Sequence, residues 1–110
     1  MSVRRRRKAR GQRSGQTAVK YRLSLYIAGS TPRSTTAILN IMRICKQYLE
    51  GRHQLQIVDV FIHPQVARDE QIVATPTLVR KFPEPRRVLV GDLSDTPRVL
   101  AGLGIEALAV

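Results

Sequence analysis

Pro76 constrains this chain more than any other residue. It stands directly before Thr77-Leu78-Val79-Arg80-Lys81-Phe82, a run of alternating character, and a residue without an N–H belongs at the first position of a strand. A strand therefore begins here. The Thr75–Pro76 bond is also a candidate for the cis form, which for an X-Pro bond costs only about 0.5 to 1 kcal/mol. Strand, helix and strand are expected before this proline, and two short strands and a last helix after it.

Residues 21 to 28 set Tyr21, Leu23, Leu25 and Ile27 against Arg22, Ser24, Tyr26 and Ala28, the period of a strand with one strongly apolar face. Gly29-Ser30-Thr31-Pro32 breaks that period. Thr31 offers a capping hydroxyl and Pro32 suits the first helical position, so a helix is expected from about Pro32 to Glu50, ended by Gly51. Ile38, Ile41, Met42, Cys45, Tyr48 and Leu49 recur at spacings of three and four and predict its buried stripe. His53 to Ile62 is nearly continuous in apolar character apart from Asp59, which predicts a strand covered on both faces. The two strands and their helix make a βαβ unit with parallel strands.

Pro64 to Val73 predicts a short helix. After the strand led by Pro76, Pro83-Glu84-Pro85 connects to Arg87-Val88-Leu89-Val90, an antiparallel hairpin. Ser94 can cap a last helix with Asp95 in its first turn, and Val99, Leu100, Leu103 and Leu108 supply its apolar positions. Gly102 and Gly104 weaken that helix by roughly 1 kcal/mol each relative to alanine. A small α/β domain ordered βαβαββα, with Thr-Pro leading into a strand, resembles the thioredoxin-like fold, in which that proline is cis.

A chain of 110 residues is the size of one domain. Its net charge of +11 is unevenly placed, because residues 1 to 20 hold eight basic side chains and no acid. With little to bury, residues 1 to 20 are expected to be a disordered basic tail and residues 21 to 110 the folded domain. Arg4, Arg5, Arg6, Arg7 and Lys8 suit nucleic acid, an anionic surface or an acidic partner, and equally a solvated tail with no partner. One cysteine precludes an internal disulfide, and no apolar run reaches the roughly 18 to 20 residues of a membrane span. A soluble, cytoplasmic protein without membrane contact is the expectation.

A thioredoxin-type enzyme needs a thiolate at the start of its first helix. Here that place reads Gly29-Ser30-Thr31-Pro32-Arg33-Ser34, and the one thiol, Cys45, falls on the buried stripe. Ser30 and Ser34 are explained by capping and helix surface. His53 and His63 lack companions at ligand spacing, and Gly102-Leu103-Gly104 lacks the rest of a dinucleotide-binding motif. Neither a metal, a cofactor nor a catalytic residue is expected. Binding is the function these residues suit.

Five strings occur in order: Tyr21 to Pro32, Ile57-Val58-Asp59-Val60, His63-Pro64-Gln65, Ile72 to Leu78, and Val90-Gly91-Asp92-Leu93-Ser94. Together they resemble the KaiB family of bacterial circadian clock proteins, over about residues 20 to 108. The resemblance implies a non-enzymatic clock or stress regulator that binds a KaiC-type hexameric ATPase and modulates its phosphorylation or output. It also implies KaiA-like or histidine-kinase clock components as further partners, and two folds for one sequence, a thioredoxin-like monomer and an inactive homotetramer. Such a switch needs two packings within a few kcal/mol. Tyr21 and Gly102 match positions that influence it, Pro76 is its cis proline, and Gly104 replaces an expected acid. Arg86 and Arg87 match a basic pair that faces the ATPase. Gln56, Thr36 and Glu84 depart from an expected lysine, arginine and proline. Nucleic-acid binding through the tail is the alternative reading.

Overall fold

A computed structural model describes residues 20–105; the basic run from Arg4 to Lys8 and the apolar Leu108 lie outside the described residues. Seven elements follow one another as β1 (Tyr21–Ile27), α1 (Pro32–Tyr48), β2 (His53–Asp59), α2 (Pro64–Asp69), β3 (Thr77–Phe82), β4 (Arg87–Val90) and α3 (Thr96–Leu103). The strands form one sheet in the order β2-β1-β3-β4. β1 pairs parallel with β2 and antiparallel with β3, and β3 pairs antiparallel with β4. The Thr75–Pro76 bond is cis, as are Phe82–Pro83 and Glu84–Pro85.

The alternation in β1 separates two cores. Tyr21, Leu23, Leu25 and Ile27 pack with Ala37, Ile41, Ile44, Cys45 and Leu49 from α1 and its cap, and with Val99, Leu100 and Leu103 of α3. On the opposite face Tyr26, Val58 and Val79 are covered by Val60, Val66 and Ile72, from α2 and its flanks. Leu25 and Tyr26 are both 0% exposed, so β1 is the strand that both layers bury.

Several expectations are corrected. β2 ends at Asp59 and lies at the sheet edge, where Gln54, Gln56 and Ile57 are exposed and only Val58 is fully buried. It is not covered on both faces, because one side has no neighbouring strand and α2 is only six residues long. α1 stops at Tyr48, and its stripe is rotated from the predicted one: Ile44 is buried while Met42 is 53% exposed. α2 ends at Asp69. Asp95, not Ser94, caps α3, its carboxylate accepting from the Arg98 N–H.

All three helices begin at the end of the sheet where β1 finishes, here the upper end, and run toward the lower end where β1 begins. Their N–H groups therefore open upward and their unpaired carbonyls downward. That common polarity decides which side chains each end requires.

Candidate functional site

At the lower end the last carbonyls of each helix meet a side-chain donor. Arg80 follows Leu78 at a spacing of two and so faces the α3 side of β3. It is only 5% exposed, and its Nη1 donates to the Leu103 carbonyl at 2.7 Å and its Nη2 to the Pro85 carbonyl at 2.8 Å. No carboxylate is bonded to it among the described residues; two carbonyl dipoles take that role. The Tyr21 hydroxyl donates to the Gly104 carbonyl at 3.4 Å, and the Arg52 guanidinium lies 5.7 Å from the Tyr21 ring centre. Arg86 Nη2 donates to the Glu70 carbonyl just past α2 at 2.7 Å and lies 3.8 Å from the Glu70 carboxylate. His53 Nδ1 stands 2.9 Å from the Leu49 carbonyl after α1. Since a carbonyl only accepts, that ring nitrogen carries the proton.

The glycines of α3 fit this anchor closely. A Cβ on Gly102 would stand 2.4 Å from Leu89 Cδ2, so the helix approaches β4 at a distance only glycine permits. Gly104 ends the helix in the left-handed region at φ +72°, and a Cβ there would lie 2.9 Å from Arg80 Nη1. Their helix-weakening reading is therefore incomplete: one glycine closes a packing contact and the other forms the C-cap.

Of the residues singled out for the fold switch, Tyr21, Gly102 and Gly104 converge at this lower anchor. Pro76 sits at the other end of β3, where its carbonyl accepts from the Gly91 N–H at 2.9 Å. Arg80, which bonds the Leu103 carbonyl and lies against Gly104, has no role in the sequence reading beyond its place in the strand. Its signal is the period of β3, which puts a cation in phase with Leu78.

Arg86 and Arg87 also separate. Arg86 is held by Glu70, whereas Arg87 is exposed at the start of edge strand β4 and has no side-chain partner among the described residues. Next to it, Val88 and Val90 are 46% and 48% exposed. One exposed basic residue thus leads exposed apolar ones along an unpaired strand edge.

The caps at the upper end use acceptors, although Asn40 and Thr77 also donate there, to the Asp92 and Ala74 carbonyls. Thr31 Oγ1 accepts from the Ser34 N–H at 3.1 Å, and the two hydroxyls bond at 3.0 Å. Asp59 accepts from the Gly29 and Phe61 N–H groups, and Asp92 from that of Ser94. The Ser94 hydroxyl and then its N–H hold the Asp92 carboxyl below the usual carboxylate value, with the Arg33 charge a smaller cause. Ser30 is exposed here, and Cys45 lies well inside the core at 1% exposure, where desolvation pushes its thiol up to about 11. A thiol so placed supplies no thiolate near neutral pH. Among the described residues no group of three or more His, Cys, Asp or Glu is placed to hold a metal ion, and no helix is long and apolar enough to cross a membrane.

Comparison with known proteins agrees with this architecture. The chain is similar to the circadian clock oscillator protein KaiB of Nostoc punctiforme, 46% identical over 85 residues that cover 77% of this chain and 82% of that one. It is 42% identical to the KaiB of Microcystis aeruginosa over the same shares. Its fold matches the N-terminal domain of Synechococcus elongatus SasA at a TM-score of 0.65 and 25% identity, covering 87% of this chain and 94% of that domain. It also matches mitochondrial thioredoxin 3 of Saccharomyces cerevisiae at 0.64 and 14% identity, over 78% of each chain, which bears on the fold alone. The KaiB domain matches residues 24–105, and the chain belongs to the KaiB family of circadian clock proteins.

Proposed function

We propose that this chain binds a KaiC-type hexameric ATPase and modulates its phosphorylation or output, acting by contact and not by transforming a substrate. The observation that carries this reading is the free edge of β4, where exposed Arg87 stands beside exposed Val88 and Val90. An unpaired strand edge offers main-chain hydrogen bonds, the valines offer apolar area, and the arginine selects an acidic partner. Membership of the KaiB family supports a clock component as the partner. KaiA-like or histidine-kinase clock components are further partners on the same reading, and a cytoplasmic setting follows from it.

The reading includes a second, homotetrameric packing of the same sequence as the inactive form. The lower anchor supports it, because a few donors and one glycine contact hold α3 against the sheet, and Gly102 inside α3 leaves its sequence weakly committed to helix. Multi-angle light scattering over a concentration series tests it: a tetramer that gives way to monomer on adding the ATPase is expected, and a monomer at every concentration contradicts it.

Affinity for a KaiC-type hexamer, measured by fluorescence polarisation, tests the interface. Arg87→Glu should weaken binding at least about tenfold, roughly 1.4 kcal/mol. Arg86→Glu should act partly by loosening the segment after α2, visible as a lowered melting temperature. Unchanged affinity for the double reversal of Arg86 and Arg87 removes both from the interface.

A further inference from the structure

We infer that two copies of this chain pair through the outer face of α1, antiparallel about a twofold axis. This goes beyond ATPase docking and uses none of the β4 residues. One side of α1 is buried through Ser34, Ala37, Ile41, Ile44 and Cys45. At 3.6 residues per turn Leu39 stands about 200° from both Ala37 and Ile41, and so points away from the sheet. It is 62% exposed, and Met42 beside it is 53% exposed. A single exposed leucine needs no account. Here, however, the exposed residues Pro32, Thr35, Leu39, Met42 and Lys46 follow one another at alternating spacings of three and four, the seam spacing of paired helices. Arg43 is drawn aside toward α3, where its Nη2 donates to the Thr96 hydroxyl at 3.2 Å, and it leaves the seam open.

Charge selects a second copy as the occupant and fixes its direction. α1 carries Arg33, Arg43 and Lys46 and no acid, so its first turn has no carboxylate to meet the positive end of the helix. A parallel pair would set Lys46 against Lys46 and Arg43 against Arg43, which is repulsive. Antiparallel pairing centred between Leu39 and Met42 sets each Leu39 against Met42 of the second copy. It sets each Lys46 against Thr35 of the second copy, whose hydroxyl can accept from the ammonium. Glu50, exposed just past the α1 cap, then reaches the first turn of the other helix, so each chain supplies the acid that its mate lacks. The face is thus complementary to itself, as a twofold contact requires. The 17 residues of α1 span roughly 25 Å, and a contact of that length covers less than the ~800 Å² per partner of a standard interface. The pair is therefore weak, with a dissociation constant on the order of 100 μM. Because the seam points away from the sheet, the β4 edge stays open.

The test is disulfide trapping of the full chain, with sedimentation over a concentration series that brackets this affinity. Full-length Thr35→Cys and Lys46→Cys chains, mixed under oxidising conditions, should cross-link to each other at least about tenfold faster than either cross-links to itself, because the antiparallel pair holds like cysteines about 16 Å apart, beyond the reach of a disulfide. Cys45 is 1% exposed and stays out of the reaction. On dilution the unaltered chain should pass through a dimer. Leu39→Glu should weaken that dimer at least about tenfold and Glu50→Lys about threefold, both with unchanged circular dichroism and unchanged affinity for the ATPase. Cross-linking of like chains in place of unlike ones, no dimer at any concentration, a tetramer in which the unlike cross-link fails to form, or a Leu39→Glu chain that associates like the unaltered one would each overturn the inference. A Leu39→Glu chain that loses the ATPase would overturn it too, by assigning the seam to that partner. Loss of the pair leaves the Arg87 interface standing, so the two readings fail separately.

Discussion

The two ends of the sheet are built from the same strands yet held by opposite chemistry. At the upper end hydroxyls and carboxylates of Thr31, Asp59, Asp92 and Asp95 accept from backbone N–H groups. At the lower end Arg80, Arg86, Tyr21 and His53 face backbone carbonyls. The difference follows from helix direction. Three helices pointing the same way present their positive ends above and negative ends below, so acids suit one end and cations the other. A charge asymmetry useful for recognition thus begins as a requirement of folding.

The ends also differ in reach. The caps at the upper end join residues two or three apart, and the longer ties there, Gly29 to Asp59, Asn40 to Asp92 and Arg43 to Thr96, do not bond a strand to α3, whereas Arg80 reaches Leu103 across 23 positions and Tyr21 reaches Gly104 across 83. Local caps can be removed singly, while the lower contacts tie α3 to the sheet. The largest effect should therefore come from Arg80→Ala, which removes two charge-assisted bonds and strands two carbonyls. It should destabilise by about 3 kcal/mol in urea unfolding. Amide exchange in α3 should accelerate far more than in α1, and equal acceleration in both would erase the distinction between the ends.

Next is Gly102→Val, which drives a branched side chain into Leu89. A cost of about 2 kcal/mol is expected, partly recovered when Leu89→Ala is added. Simple additivity of the two losses would show that the close approach is not what glycine serves. Thr31→Ala samples the upper end and should cost about 1 kcal/mol without altering exchange in α3. The smallest effect is a pH dependence. Because Asp92 has its folded pKa lowered by Ser94, its contribution is present above the unfolded carboxylate value and is lost as pH falls through the folded one. The melting-temperature difference between the unaltered chain and Asp92→Asn should shrink over that acid window, and a difference constant with pH would refute it.

The upper end was legible in the sequence because its signals are local. Thr31-Pro32 and the proline before Thr77 each announce an element boundary from adjacent residues, and both stand where expected. The Asp95 cap was misplaced by one residue, since Ser94 and Asp95 carry interchangeable acceptors. Below, Arg80 was missed and Arg86 was grouped with Arg87, because neither the Leu103 nor the Glu70 carbonyl marks its acceptor role in the sequence. The rotation of the α1 stripe has a similar origin. Met42 and Ile44 are equally apolar on paper, and only the sheet beneath selects between them.

Analytical ultracentrifugation of the full chain with a KaiC-type hexamer tests the central claim most directly. The account predicts a complex that survives deletion of residues 1–13 and dissociates with Arg87→Glu. A hexamer that sediments alone with the unaltered chain, in either oligomeric state, would contradict it.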